Sequence, residues 1–254
     1  RSFLAVLGVW IGSASVVALL YCSQLATMSV VSKLSELGTN LISVSLLGSS
    51  KFTKDITVSS LNNISKKYTH IKTYSPLAFS YDNVYFNGKR INANVISSNE
   101  EFYNISKLEL QAGRFISDFD QDEFCVVGVK VQAQTGVDLI GSQLKYGKHF
   151  CTVIGSLHPA KNNFFIPVDI DNSVILPIKV FQKRNINSAL RDLVFSLTSS
   201  DHIAEVEGDL KTSLALISPK TRTYFRNPKE LIEKVVEQKQ QLTILLGIIG
   251  CISL

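Results

Sequence analysis

Ionisable side chains are missing from two stretches of this chain. Ser2–Ser32 contains no Asp, Glu, Lys, Arg or His, and Gln240–Leu254 is a second such run. Catalytic signatures are missing as well: there is no G-x-S-x-G elbow, no Ser-His-Asp grouping and no paired catalytic carboxylates. Gly136 and Gly141 have phosphate-loop spacing, but Ser142-Gln143 stands where Lys and Ser/Thr would reach phosphate and magnesium, which excludes an ATPase from this segment. Asp118, Asp120 and Asp122 open like a calcium loop. Glu123 then occupies the place of the required Gly, and Val129 that of the bidentate Glu, so the stretch reads as a solvated acidic loop. Apart from Arg1, the positive side chains exceed the acids only slightly and are spread along the chain, so composition gives no argument for nucleic acid.

What is present follows from where charge is absent. Phe3–Cys22 supplies about the twenty apolar residues a helix needs to cross roughly 30 Å of hydrocarbon. No charge opposes insertion, at about 2.5–3.5 kcal/mol each. A cleaved signal peptide is the competing reading, but no A-x-A site follows Leu20, and Tyr21 before Cys22 is too bulky for lipoprotein processing. The apolar run Leu242–Leu254 would also be unexplained in a secreted protein. The expectation is an excerpt of a longer polytopic protein: two membrane-embedded ends bracket one large water-facing insert, with Arg1 weakly placing its own end in the cytoplasm. Gly8 and Gly12 form a small-xxx-small pair that permits close helix packing in lipid.

Beyond Cys22, Leu25, Met28, Val31, Leu34 and Leu37 keep helical spacing up to Gly38, a suitable C-cap, and Asn40–Leu46 then alternates like a strand. Thr57 is a candidate N-cap for a helix carrying Val58, Leu61, Ile64 and Tyr68, and His70–Ser80 reads as strand. Asn87-Gly88, flanked by Val84–Phe86 and by Ile91, Ala93 and Val95, predicts a hairpin. Phe124–Val129, Lys148–Leu157, Val174–Val180 and Leu193–Leu197 read as short strands. Asp201 is a candidate cap for a helix with Ile203, Val206, Leu210 and Leu214 on one face, and Thr221–Arg226 for a further strand. Asn227-Pro228-Lys229-Glu230 is a helix-start signal leading through Leu231 and Val235 into the second apolar run.

Cys22 and Cys251 lie in the apolar ends, Cys125 and Cys151 in the insert. In an oxidising compartment Cys125 and Cys151 have a disulfide open to them. A buried free Cys packs as an ordinary small hydrophobe, and that is the commoner outcome. His149 and Cys151 share a strand face with Cys125 on another strand, but three candidates without a fourth do not close a metal site, and His70 and His158 are not at ligand spacing with them. No metal site, catalytic residue or cofactor-binding residue is expected in this segment.

These residues resemble a known family. Arg1-Ser2-Phe3-Leu4 with Leu7-Gly8, Gly12–Leu20, Leu37–Ile42, Leu110–Phe115 (L-Q-A-G-R-F), Val126-Val127-Gly128, Val153-Ile154-Gly155 and Asp171–Pro177 (D-N-S-V-I-L-P) look like the ordered motifs of MacB-type and FtsX-like ABC transporter permeases. The resemblance implies an α+β, two-lobed extracytoplasmic domain on two stalk helices that continue into transmembrane helices. In this chain's numbering it places a transmembrane helix at 1–22, a stalk at 23–39, a porter-like α+β lobe at 40–98 and 200–226, a mainly β lobe at 99–199, a second stalk at 227–241 and the start of a second transmembrane helix at 242–254. Tyr21-Cys22-Ser23-Gln24 departs from the small residues common at the family's stalk junction.

The implied function is that of an export permease in the bacterial inner membrane, with its main domain periplasmic or extracellular. Its implied partners are a cytoplasmic ABC ATPase carrying the ATP and magnesium, a second permease protomer, and a periplasmic adaptor with an outer-membrane duct. A LolC/LolE-like permease that releases lipoprotein cargo is the alternative within the family, and a membrane-anchored sensor is the alternative outside it.

Overall fold

The computed structural model describes residues 40–48, 56–80, 82–120, 122–161, 165–183 and 190–227, with single helical positions between 10 and 25 and between 237 and 244. Gly8, Gly12 and most of both predicted stalks and spans lie outside these residues. Among the described residues no helix is long and apolar enough to cross a membrane. The chain divides into two units, Arg1–Thr39 with Asn227–Leu254, and Asn40–Arg226.

Within Asn40–Arg226 the elements run β1 (Leu41–Leu47), α1 (Val58–Lys67), β2 (Ile71–Ser80), β3 (Val84–Phe86), β4 (Lys89–Ile91), β5 (Asn94–Ser98), α2 (Glu101–Ile105), β6 (Leu110–Gly113), β7 (Phe124–Val127), α3 (Val129–Thr135), β8 (Gln143–Tyr146), β9 (His149–Leu157), β10 (Ser173–Pro177), α4 (Ile178–Lys183), β11 (Leu190–Leu197), α5 (Ile203–Ile217) and β12 (Arg222–Arg226). One sheet collects the strands in the order β12-β1-β11-β2-β5-β10-β7-β9-β8-β3-β4, with β6 on β9. The β5–β10 and β7–β9 pairs are parallel and the others antiparallel.

Strand alternation divides the apolar residues between the two faces. Ile42, Val44 and Leu46 of β1, Leu193, Phe195 and Leu197 of β11, and Val174 and Leu176 of β10 share one buried cluster with Leu61 and Ile64 of α1 and Val206, Leu210 and Leu214 of α5. Their strand neighbours Leu41, Val194 and Ile175 join Phe102 and Ile105 of α2, Ile116 and Phe165 in the second. Cys125 and Val127 face the first cluster and Val126 the second.

Local chemistry sets the boundaries. The Thr57 hydroxyl accepts from the Ser60 amide at 3.2 Å, and Ser60 Oγ accepts from the Thr57 amide at 2.9 Å, a reciprocal box that starts α1. Asn87 and Gly88 both have positive φ, as a two-residue hairpin turn of this hand requires. Three expectations are corrected. Val174–Val180 leaves the sheet after Pro177, where the chain turns into α4. Phe124–Val129 ends at Val127, because Gly128 is the N-cap of α3, whose left-handed C-cap is Gly136. The Ser199 hydroxyl accepts from the Asp201 amide at 3.2 Å and caps the 3-10 turn Ser200–His202, whereas the N-cap position of α5 is His202 and not Asp201.

β11 lies between β1 and β2, while the β3–β4 hairpin joins β8. Burial explains both placements: Leu193, Phe195 and Leu197 complete the face that receives α1 and α5, and Val84 reaches Tyr146 across the ladder.

Gly113 has φ +78° in β6, and a Cβ there would meet the Ile154 carbonyl oxygen at 2.1 Å; at Gly88, φ +77°, nothing lies within 4 Å. Gly88→Ala is therefore expected to cost about 1–2 kcal/mol for the left-handed backbone alone. Gly113→Ala should cost at least about 2 kcal/mol more, because the backbone of β9 must also move. Urea unfolding of the two variants measures the difference.

Candidate functional site

The entry and exit of Asn40–Arg226 lie side by side. β1 and β12 are antiparallel neighbours with Ser43 opposite Arg226, so the chain enters and leaves at the same end of adjacent strands. Both crossings are tied to β11. The Asn40 side-chain amide donates to the Leu197 carbonyl at 2.8 Å, and the Leu197 amide donates to the Asn40 carbonyl at 2.8 Å. At the exit, Arg226 Nη2 lies 2.9 Å from Asp192 Oδ1, with 4% of the Asp192 side chain exposed. The Ser45 hydroxyl donates to the same carboxylate oxygen and accepts from Arg226. A buried carboxylate in low dielectric requires such a partner, since an uncompensated charge there costs several kcal/mol.

The two sequence-predicted cysteines meet. Cys125 on β7 and Cys151 on β9 form a disulfide, with Cα atoms 5.8 Å apart and both residues buried. Separate buried thiols, the commoner outcome, are not what the structure contains. The parallel β7–β9 register places Cys125 opposite Val153, two residues along from Cys151 on the same face. The thiols are thereby removed from any soft-metal arrangement with His149.

The acidic loop is more structured than a solvated one. The carboxylate of Asp120 takes two hydrogen bonds from Arg114, at 2.8 and 3.0 Å, and one from the Ser117 amide at 2.8 Å. Burial pushes the Asp120 carboxyl up, but the Arg114 hydrogen bond, the Ser117 amide and the Arg114 charge outweigh it and hold it below its ordinary value. Gly141, like Gly136, has positive φ and serves a turn.

A cleft of about 260 Å³ opens beside α1 and the start of α4, lined by residues including Asn62, Lys72, Tyr74, Asn99, Asp118 and Lys179. Its one phenol is occupied: Tyr74 donates to Asn62 Oδ1 at 2.8 Å, and burial, then the Asp118 charge, push its pKa up to about 12. Lys179 donates to the Asp118 carbonyl at 2.7 Å. Lysine and carboxylate side chains are mixed along the cleft.

The sequence profile of the MacB-like periplasmic core domain family matches residues 2–213. The chain belongs to this family. A macrolide export ATP-binding/permease protein MacB from Rhodopseudomonas palustris strain HaA2 is 25% identical over 100% of the chain, and one from Neisseria meningitidis strain MC58 is 24% identical over the same share. The chain spans about two fifths of the length of these relatives, 40% and 41%. The crystal structure of the periplasmic region of MacB from Actinobacillus actinomycetemcomitans superposes with TM-score 0.63 at 18% identity, covering 79% of this chain and 94% of that one. The extracellular domain of the transporter YknZ from Gram-positive bacteria superposes with TM-score 0.60 at 14% identity, covering 74% of this chain and all of that one. The α+β reading of the fold stands on these likenesses. The matched family is described as a periplasmic core domain.

Two expectations concern the cross-links. Removing the disulfide by the double change Cys125→Ala, Cys151→Ala should cost about 2–5 kcal/mol in oxidised protein and nothing beyond that in reductant, measured by urea unfolding with and without dithiothreitol. Arg226→Met, which strands Asp192 buried without its partner, should cost about 3–5 kcal/mol, and adding Asp192→Leu should recover most of it in the same measurement.

Proposed function

We propose that this chain is the extracytoplasmic core of an ABC transporter permease in the bacterial inner membrane. In this reading it receives ATP-driven motion from a cytoplasmic ATPase through its two ends and uses it to move substrate outward. The adjacency of entry and exit on β1 and β12, both tied to β11, is the observation that carries the reading. Force arriving through the chain at Asn40 and at Arg226 then acts on one ladder at one end. Antiparallel neighbours pulled apart at a shared end load their hydrogen bonds one after another, and the pair nearest that end, Ser43–Arg226, carries the Asp192–Arg226 brace. Pulled together, the same strands move as one body with β11.

A membrane setting has its own support. Trp10, Val17, Tyr21 and Leu25 are helical and exposed at seven- and four-residue spacings, an apolar stripe that water alone would not favour. The Cys125–Cys151 disulfide supports folding of Asn40–Arg226 in an oxidising compartment. The relatives' names, macrolide export ATP-binding/permease proteins, make an exporter the working case; a periplasmic adaptor, a second permease protomer and an outer-membrane duct belong to the same proposal.

Phe119 is 89% exposed on the acidic loop, so Phe119→Cys reports topology. In the full-length protein in intact cells stripped of their outer membrane, a membrane-impermeant maleimide should label this cysteine before lysis. Labelling only after lysis would overturn the placement. Deleting 40–226 should abolish export of the transported compound while leaving basal ATP hydrolysis measurable; undiminished export would overturn the coupling role.

A further inference from the structure

His70 sits in the turn before β2, His202 in the 3-10 turn Ser200–His202, and Glu205 in the first turn of α5. Their nitrogen and carboxylate ligand atoms all lie within 4.8 Å of one another. The two imidazoles stack with centroids 3.8 Å apart and planes 18° from parallel, and His202 Nδ1 lies 3.3 Å from Glu205 Oε2. The supporting backbone is pinned from both sides. The amide and hydroxyl of Thr198 donate to the His70 carbonyl at 3.0 and 2.9 Å, and the Ser199 hydroxyl caps the turn that carries His202. Two segments more than a hundred residues apart in sequence are thus held so that two imidazoles and one carboxylate converge near the surface.

We propose that His70, His202 and Glu205 form a binding site for one divalent transition-metal ion of the zinc, nickel and copper class, with water completing its coordination. The donor set decides the class. Two imidazole nitrogens and one carboxylate suit borderline ions, whereas calcium and magnesium require oxygen ligands. Tetrahedral bonds of about 2.0–2.1 Å put neighbouring ligand atoms about 3.3 Å apart, so the cluster needs only a modest contraction. Parallel stacked rings direct their nitrogens side by side, and binding therefore requires each imidazole to turn about its Cβ–Cγ bond. His70 and His202 are only half-buried and Glu205 is exposed, which leaves room for that turn. The bound ion would tie the start of α5 to the start of β2, a second staple beside the Thr198–His70 hydrogen bonds. This site is independent of the export reading.

The test uses the purified, chelator-treated full chain. Titration with zinc chloride by calorimetry, and with cobalt(II) by its visible absorption bands, should give one equivalent per chain. His70→Ala and His202→Ala should each weaken zinc by at least about tenfold, at or beyond the loss seen when a mere supporting partner is removed. Glu205→Gln should weaken it less, while His158→Ala leaves it unchanged. Far-UV circular dichroism matching the parent shows that each variant is folded, and His70→Gln with His202→Gln replaces any alanine variant that is not. Absence of binding at micromolar zinc overturns the proposal. So does stoichiometric binding that survives both histidine changes, or cobalt bands that are identical with and without His202.

Discussion

Strand β11 is the constraint on which the rest of the domain depends. It hydrogen-bonds β1 on one side and β2 on the other, receives the entry at Asn40 through Leu197, and holds the exit at Arg226 through Asp192. The buried ion pair is a device of register more than of raw stability, because replacing such a pair by packed hydrophobes is often neutral or stabilising. A one-residue slip of β12 on β1 would turn Phe225 outward and Tyr224 inward, since strand faces alternate. It would also carry Arg226 away from the carboxylate it pairs with, Asp192, leaving that group buried without its partner. Register and charge pairing therefore select the same alignment, and that alignment fixes where the chain crosses out of the domain.

Farther along the same sheet a covalent bond does comparable work. β7 and β9 are parallel, a pairing slightly weaker per residue than an antiparallel one, and it is interrupted between Cys125 and Val126. The disulfide lies directly beside the interruption, joining Cys125 to Cys151. Its position inside the cluster shared with Val127, Val131 and Val153 means that the cross-link replaces two apolar side chains in a packed core without opening a cavity.

Much of this was readable in the sequence wherever the chemistry is local. The Thr57 cap, the Asn87-Gly88 turn and the face Ile203, Val206, Leu210 and Leu214 depend on residues within a turn or two of one another, and each falls where its spacing puts it. The sequence reading failed where a short element depends on distant partners. α2 buries Phe102 and Ile105 in only five residues, too few for a helical period to show. Gly136 was legible as a glycine with unusual spacing, but its meaning as the end of α3 required knowing that Gly128 must be a glycine: a Cβ there would lie 2.2 Å from the Ile170 carbonyl oxygen. His70 and His202 carry no joint signal, and the only trace is a His-x-x-Glu turn at His202 and Glu205, a pattern common on helix surfaces. Asp192 looked like any strand-edge acid until Arg226, 34 positions away, was placed beside it.

These ties are unevenly distributed along the sheet. The end near the chain crossings is braced by Asp192–Arg226 and by the long β11–β2 ladder, and the opposite end by Cys125–Cys151. Between them the sheet narrows. β2 meets β5 only over Ala78–Ser80, and β10 meets β7 only at Val174 and Ile175. Elastic strain in a sheet concentrates where fewest hydrogen bonds resist it, so relative movement of the two ends is borne by these short ladders. What limits that movement is the apolar face common to both ends: Leu77, Ile96, Ile175 and Val126 belong to one continuous buried cluster. Hinging there exposes part of that cluster at roughly 25 cal/mol per Å² of apolar surface, a restoring force proportional to the area opened. A domain of this construction returns to its resting shape without a spring of its own.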